Sequence, residues 1–517
     1  MRRTTAVCMT TLAMTAPSWA DVRLPAIIGN NMVIQQGEPV PVWGWAEPGE
    51  KVSVAIGDNK ADAVADAAGK WSCRLTAMRP SDQPVEMMVT GKNALTVKNI
   101  LVGEVWLCAG QSNMGLTLSN ATDGAEEAKK ADYPSIRLFV IRTPREAEPR
   151  DDFLGHPGSK VPGGQWMVCN PKNTAQFSAV AYFFGRKLLG DLKRPVGLVE
   201  EGWGSTAIEG WTPLATFKTD PDLADYPAKI AAYENQYPGL KADFDKKLAD
   251  WQAASEKDRA KYPPVPPIRP ELTYGGIYNA IVSPLRWTPM AGVIWYQGEQ
   301  NVGDAAGYGR MFPAMIRAWR KNFRREDLPF LFVQLPNINV PTSDPNRPSS
   351  IAELRHAQSA ALALPRTAMV VAIDVGEANN VHPPNKLPVS ERLERAALAM
   401  VYKQDIANAF CPVFDSMKVE GPKLIVNFKH AEGGLVVKGD KLAGFAIAGA
   451  GGKYFWANAV VEGESVVLTC EKVPVPLSVR YGWANNPELN LFNKAGLPAA
   501  PFYSGESPAP PRARTDR

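Results

Sequence analysis

The sequence predicts an α/β protein: a parallel sheet with helices on both faces, flanked by β-sandwich-like modules on its N-terminal and C-terminal sides. Three observations carry this. Across residues 100–406, apolar β runs at 102–108, 196–199, 292–296, 330–334 and 368–373 alternate with amphipathic helical stretches, as a parallel sheet buried on both faces requires. Across 21–99, short strands alternate apolar and polar residues between turn signals such as Glu47-Pro48-Gly49 and Gly57-Asp58-Asn59, which reads as a small sandwich. Across 407–503 the alternation returns, with Gly-rich turns at 449–452.

A length of 517 residues predicts two to four domains with ample core, so no metal or disulfide staple is needed for stability. The first 20 residues read as a secretory signal, with Arg2 and Arg3, a short run of small and apolar residues, and a small-x-small site at Ser18-Trp19-Ala20. That run is too short to span a bilayer, and no later stretch offers about 18 uninterrupted apolar residues. The mature chain is therefore expected to begin near Asp21 and to work in the periplasm or outside the cell, with no membrane insertion. Cys73, Cys108, Cys169, Cys411 and Cys470 remain; five is odd, so at most two disulfides form and at least one thiol stays free. Within 100–406, the stretch at 223–270 is polar, helix-prone and closed by a Pro-rich strap, which predicts a helical insertion. The tail at 504–517 is rich in Pro and charge and reads as disordered.

Composition narrows the function. Hydrophobic residues are 45% and charged residues 21%, and 57 Lys and Arg against 53 Asp and Glu give a net charge of +4. Losing Arg2 and Arg3 leaves about +2, too little for a nucleic-acid partner. No CxxC or His/Cys cluster has zinc spacing, so neither a metal nor an organic cofactor is expected.

Four segments fall at the carboxyl ends of predicted strands, where open α/β sheets bind ligands. Gly110-Gln111-Ser112-Asn113-Met114 follows the run ending at Cys108. It is not G-x-S-x-G, and taken alone such a serine is more often a helix N-cap. A serine nucleophile needs a base, and the four histidines are His156, His356, His382 and His430. His156 lies in a Gly/Pro loop, His356 in a helical pattern and His430 in the C-terminal module. His382, in the loop after the run ending at Ile373, shares Ser112's sheet edge. Gly202-Trp203-Gly204-Ser205-Thr206 follows the run at 196–199 and offers close backbone N–H approach. Trp295-Tyr296-Gln297-Gly298-Glu299-Gln300-Asn301 brings amide and carboxylate side chains to that edge.

On these blocks the chain resembles the sialate O-acetylesterase family of SGNH-type hydrolases. Residues 103–114 are similar to its nucleophile block, 203–211 to its second block, 295–301 to its third and 381–386 to its histidine block. Further likeness runs through 31–36, 277–285, 328–335 and 493–502. The resemblance implies an SGNH-hydrolase-like sheet and a serine carbohydrate esterase that hydrolyses O-acetyl esters of sugars. It makes Ser112 the nucleophile and His382 the general base. The backbone N–H groups of Ser112 and Gly204 would form the oxyanion hole, with Gln297 or Asn301 as a further donor. Gln111, Trp203 and Tyr296 would contact substrate, in a groove that includes Trp211.

Two positions depart from the family. Ser205 stands where a second glycine is usual, and Asn379 and Asn380 stand where an aspartate commonly precedes the histidine. Asparagine cannot hold imidazolium by charge; in a serine-protease triad, replacing the aspartate by asparagine costs about 10⁴ in kcat through the wrong tautomer. Glu299 is the first candidate to orient His382, followed by Glu377 and Asp374, and a Ser–His dyad held by an Asn or a backbone carbonyl is the remaining option. The expected substrate is O-acetylated sialic acid; the alternative is an acetylated plant polysaccharide such as xylan or xyloglucan. A sialate carboxylate calls for a basic contact, and no arginine lies inside the four blocks. The rival outside enzymology is a non-catalytic carbohydrate-binding protein.

Overall fold

A computed structural model describes residues 21–155, 163–255, 260 and 262–505; the expected signal at 1–20, His156 and residues 506–517 of the expected tail lie outside them. The chain is organised around one strand of 17 residues, Ala94–Gly110 (β1). It is followed by Tyr133–Val140 (β2), Trp166–Cys169 (β3), Val196–Gly202 (β4), Gly292–Tyr296 (β5), Phe330–Gln334 (β6) and Thr367–Val371 (β7). Their spatial order is β7-β6-β5-β1-β4-β2-β3. Neighbours run parallel, with β3 the antiparallel edge. Residues 105–110 are all buried, because both faces of a parallel sheet are covered.

The first part of β1 pairs antiparallel with Ser81–Thr90, a strand of the N-terminal module, whereas its last part lies between β4 and β5. The expected boundary at 99/100 therefore falls inside a strand. Val22, Val54 and Val89 belong to the same apolar core as Leu107 and Ile294. Continuous backbone pairing makes the module an extension of the central sheet.

On the C-terminal side, one antiparallel sheet holds Lys423–Lys429 and Ser465–Thr469, and another holds Phe445–Ala448, Ser478–Tyr481 and Phe502–Gly505. Leu424, Val426 and Leu468 of the first share a separate core with Phe445, Ile447 and Tyr481 of the second, as in a sandwich. Cys73, Cys108, Cys169, Cys411 and Cys470 are all unpaired, so the disulfides that the sequence allows do not form among the described residues.

Six helices matter to the site: Ser112–Gly115 (α1), Ala179–Leu192 (α2), Tyr226–Ala253 (α3), Ala305–Phe323 (α4), Ser350–Gln358 (α5) and Leu387–Met400 (α6). α2 packs on α6 and α4 on α5. Ser178 caps α2 by accepting from the Ala181 N–H at 3.1 Å, and its hydroxyl donates to the Met114 carbonyl at 2.6 Å, tying α1 to α2. α3, within the expected insertion, buries Tyr226 alone over 28 residues, which is the signature of a helix polar all round.

Candidate active site

Three strands end flush. Gly110 at the end of β1 is in register with Gly202 of β4 and with Tyr296 of β5. A Cβ on Gly110 would lie 2.2 Å from the Tyr296 carbonyl oxygen, so only glycine allows this approach. The chain then turns into α1, with Gln111 in the cap position and Ser112 as the first helical residue. Ser112 is thus not the N-cap that the local sequence favours, and its hydroxyl takes another partner.

That partner is His382, whose Nε2 lies 2.7 Å from Ser112 Oγ. Both side chains are half-buried. Burial and then the nearby Lys386 charge hold the His382 imidazole below its ordinary value, and no carboxylate among the described residues acts in the other direction. This corrects the expectation that Glu299 orients the ring. Glu299 Oε1 accepts from Asn113 Nδ2, and its Oε2 is buried with no hydrogen-bond partner. The runners-up are committed elsewhere too: Asp374 forms a two-armed ion pair with Arg392, both arms at 2.7 Å, and Glu377 accepts from Asn380 Nδ2 at 3.1 Å. Asn380 Oδ1 accepts the His382 backbone N–H at 2.9 Å. The pair is a dyad held through amides and backbone.

The second block lies against it. A Cβ on Gly204 would sit 3.6 Å from Ser112 Cβ, and Gly204 and Ser205 are exposed. Ser205 has φ +56°, the left-handed region that glycine tolerates best, which is why glycine is favoured there. Gln297 offers no free donor, and the Asn301 amide is already bonded through both its oxygen and its nitrogen. Gln297 Nε2 donates to the Thr206 carbonyl at 3.0 Å and to Asn301 Oδ1 at 2.9 Å, which uses both of its N–H groups. Asn301 Oδ1 also accepts from the Ile208 N–H at 2.9 Å, and its Nδ2 donates to Glu209 at 2.9 Å. Both side chains brace the loop that carries Gly204.

Two other expected substrate contacts are buried instead. Gln111 is 4% exposed and its Oε1 accepts from the Gly298 N–H at 3.2 Å; Tyr296 is 1% exposed, closing β5. Trp211 is likewise interior, in an aromatic cluster with Trp295 and Trp319. Trp203 remains half-buried at the rim. His356 and His430 line a cavity of about 310 Å³ against the C-terminal module, together with Phe410, Tyr503 and other residues that include neither Ser112 nor His382.

Three site residues were not singled out from the sequence. Asn113 and Lys386 lie inside the first and fourth blocks, next to residues that were, and Lys386 Nζ donates to Asn113 Oδ1 at 2.5 Å. Arg145, in the segment after β2, places its guanidinium carbon 5.4 Å from the centre of the Trp203 ring. No periodicity or motif marks it.

A hydroxyl hydrogen-bonded to a half-buried neutral imidazole, beside an exposed glycine loop, is equipped for acyl transfer. Residues 268–395 match the family model described as carbohydrate esterase, sialic acid-specific acetylesterase. A sialate O-acetylesterase of Rattus norvegicus is 30% identical over 417 residues, covering 74% of this chain and 73% of its own. One of Mus musculus is 28% identical over 93% of this chain and 94% of its own. The crystal structure of a carbohydrate acetylesterase from Xanthomonas citri superposes with a TM-score of 0.79 at 32% identity, covering 94% of this chain and all of that one. With this fold, these blocks in place and relatives alike over most of their length, the chain is a carbohydrate ester hydrolase and belongs to the sialate O-acetylesterase family.

Proposed function

We propose that the enzyme removes O-acetyl groups from sialic acids, with Ser112 as nucleophile and His382 as its general base. The 2.7 Å contact between Ser112 Oγ and His382 Nε2 carries the catalytic reading. Ser112 Oγ attacks the acetyl carbonyl while His382 takes its proton, and the backbone N–H groups of Ser112 and Gly204 receive the oxyanion. His382 returns the proton to the leaving sugar oxygen, and water repeats the cycle on the acetyl-enzyme to release acetate.

Arg145 supports the sialate reading. It is half-buried and packs on Trp203 at the rim, the kind of cationic contact that a carboxylated sugar needs and a neutral one does not. Acetate release from O-acetylated sialic acid should exceed that from acetylated xylo-oligosaccharides. Arg145→Met should lower kcat/KM for the sialate about tenfold and leave 4-nitrophenyl acetate nearly unchanged. Preference for the neutral xylo-oligosaccharide would move the assignment to plant glycans. Ser112→Ala should abolish both activities; full glycan binding with no esterase activity in the parent would instead favour a binding protein. We also read residues 1–20 as an export signal, which cell fractionation checks.

A further inference from the structure

Among the described residues His382 has no carboxylate partner, yet its ring sits within proton-sharing distance of Ser112, so something else must hold the two together. The backbone shows what. Val381, immediately before His382, presents its carbonyl to Asn113 Nδ2 at 3.0 Å, and Asn113 immediately follows Ser112. The side-chain contact between 112 and 382 and the amide contact between 113 and 381 therefore close a short ring of bonded atoms around the reacting pair. Asn113 is 0% exposed. Its second Nδ2 hydrogen goes to Glu299 and its Oδ1 accepts from Lys386 Nζ, so both donors and the acceptor of the amide are occupied and the group cannot flip.

Lys386 is 1% exposed, a position at which a lysine is costly unless its hydrogen bonds serve a purpose. It stands 5.1 Å from the centre of the Tyr296 ring, and the charges that act on it are those of Glu299 and Glu377. Burial holds it down to about 7. The same burial raises Glu299, which Asn113 and Lys386 pull back. The charge that acts on His382 is that of Lys386.

We propose that Asn113, clamped between Lys386 and Glu299, is the positioning residue for His382, supplying through the Val381 carbonyl the orientation that a triad carboxylate supplies elsewhere. This rests on the reading of Ser112 and His382 as the catalytic pair. The unit acts through hydrogen bonds and leaves the imidazole without an anion.

The test uses the full chain with 4-nitrophenyl acetate. Asn113→Asp keeps the size and the acceptor for Lys386 but removes both donors. It should lower kcat about a hundredfold with KM changed less than about threefold, as expected for a misplaced base and not for lost binding. Lys386→Met removes the bond that fixes the Asn113 amide and should lower kcat in the same sense, with KM little changed. An Asn113→Asp enzyme within about threefold of the parent kcat overturns the proposal, as does a folded Lys386→Met enzyme that keeps the parent kcat. If Lys386→Met does not fold, the Asn113→Asp rate decides. Ser112→Ala is assayed alongside: inactive Ser112→Ala with fully active Asn113→Asp sinks only the positioning role, whereas active Ser112→Ala sinks the catalytic pair itself.

Discussion

Ser112 follows a residue that takes the helix cap position, and this frees its hydroxyl for His382 instead of a backbone amide. His382 in turn is biased toward its neutral form, because burial and Lys386 both disfavour the charged one. A base that must be neutral to act loses activity as pH falls through its own titration. On the proposed mechanism the acid limb of kcat/KM should therefore lie below the ordinary imidazole value of about 6.5, measurable with a neutral acetyl ester across pH. At this scale the sequence indicated which residue types meet, serine and histidine, since few alternatives existed among four histidines. It did not indicate their partners. Asn380 could be seen not to be an anion, but that Asn113 reaches past Ser112 to the Val381 carbonyl depends on α1 meeting a loop 268 positions away in the chain.

The strands place these groups. β1, β4 and β5 terminate at one level because their registers align at Gly110, so the loops that follow share one edge. Gly110→Ala would drive a methyl into the Tyr296 carbonyl at 2.2 Å. It is expected to cost about 3 kcal/mol or more of stability, read by denaturant unfolding, or to prevent soluble expression. The carboxyl-edge placement of all four blocks was legible, since long apolar runs in an α/β pattern identify parallel strands and ligands lie past their ends. Which loop side chains turn outward was not. Tyr296 belongs to the strand and is interior; Gln297 and Asn301 lie just beyond it and turn to brace residues 206–208. The period of an irregular loop carries no such information.

Across the whole molecule, the N-terminal module is joined to the sheet by continuous strand pairing, whereas the C-terminal module has a core of its own, reaches the central core through Cys411, Leu497 and Ala500, and is fastened by polar contacts besides. Arg355 on α5 is one such fastening. It is fully buried and donates to the carbonyls of Leu335, Pro336, Ala484 and Asn485. Burial without a carboxylate lowers it to about 9, which leaves it charged at neutral pH. Arg355→Met would strand four carbonyls and should destabilise the protein by about 3 kcal/mol or more, seen as a lower unfolding midpoint or a separated C-terminal transition.

Hydrophobic period by itself determined an α/β sheet with Ser112 and His382 at one edge, because chain-local patterns specify strands and the ends of strands, and the resemblance of the four blocks to a known family implied a carbohydrate esterase. Only the tertiary structure decided that no carboxylate among the described residues meets the imidazole, that Arg145 comes to rest on Trp203 and that Lys386 bonds to the residue after Ser112. Hydrogen bonds are directional and act over about 3 Å, so their partners are chosen by loops that meet only when the sheet has formed.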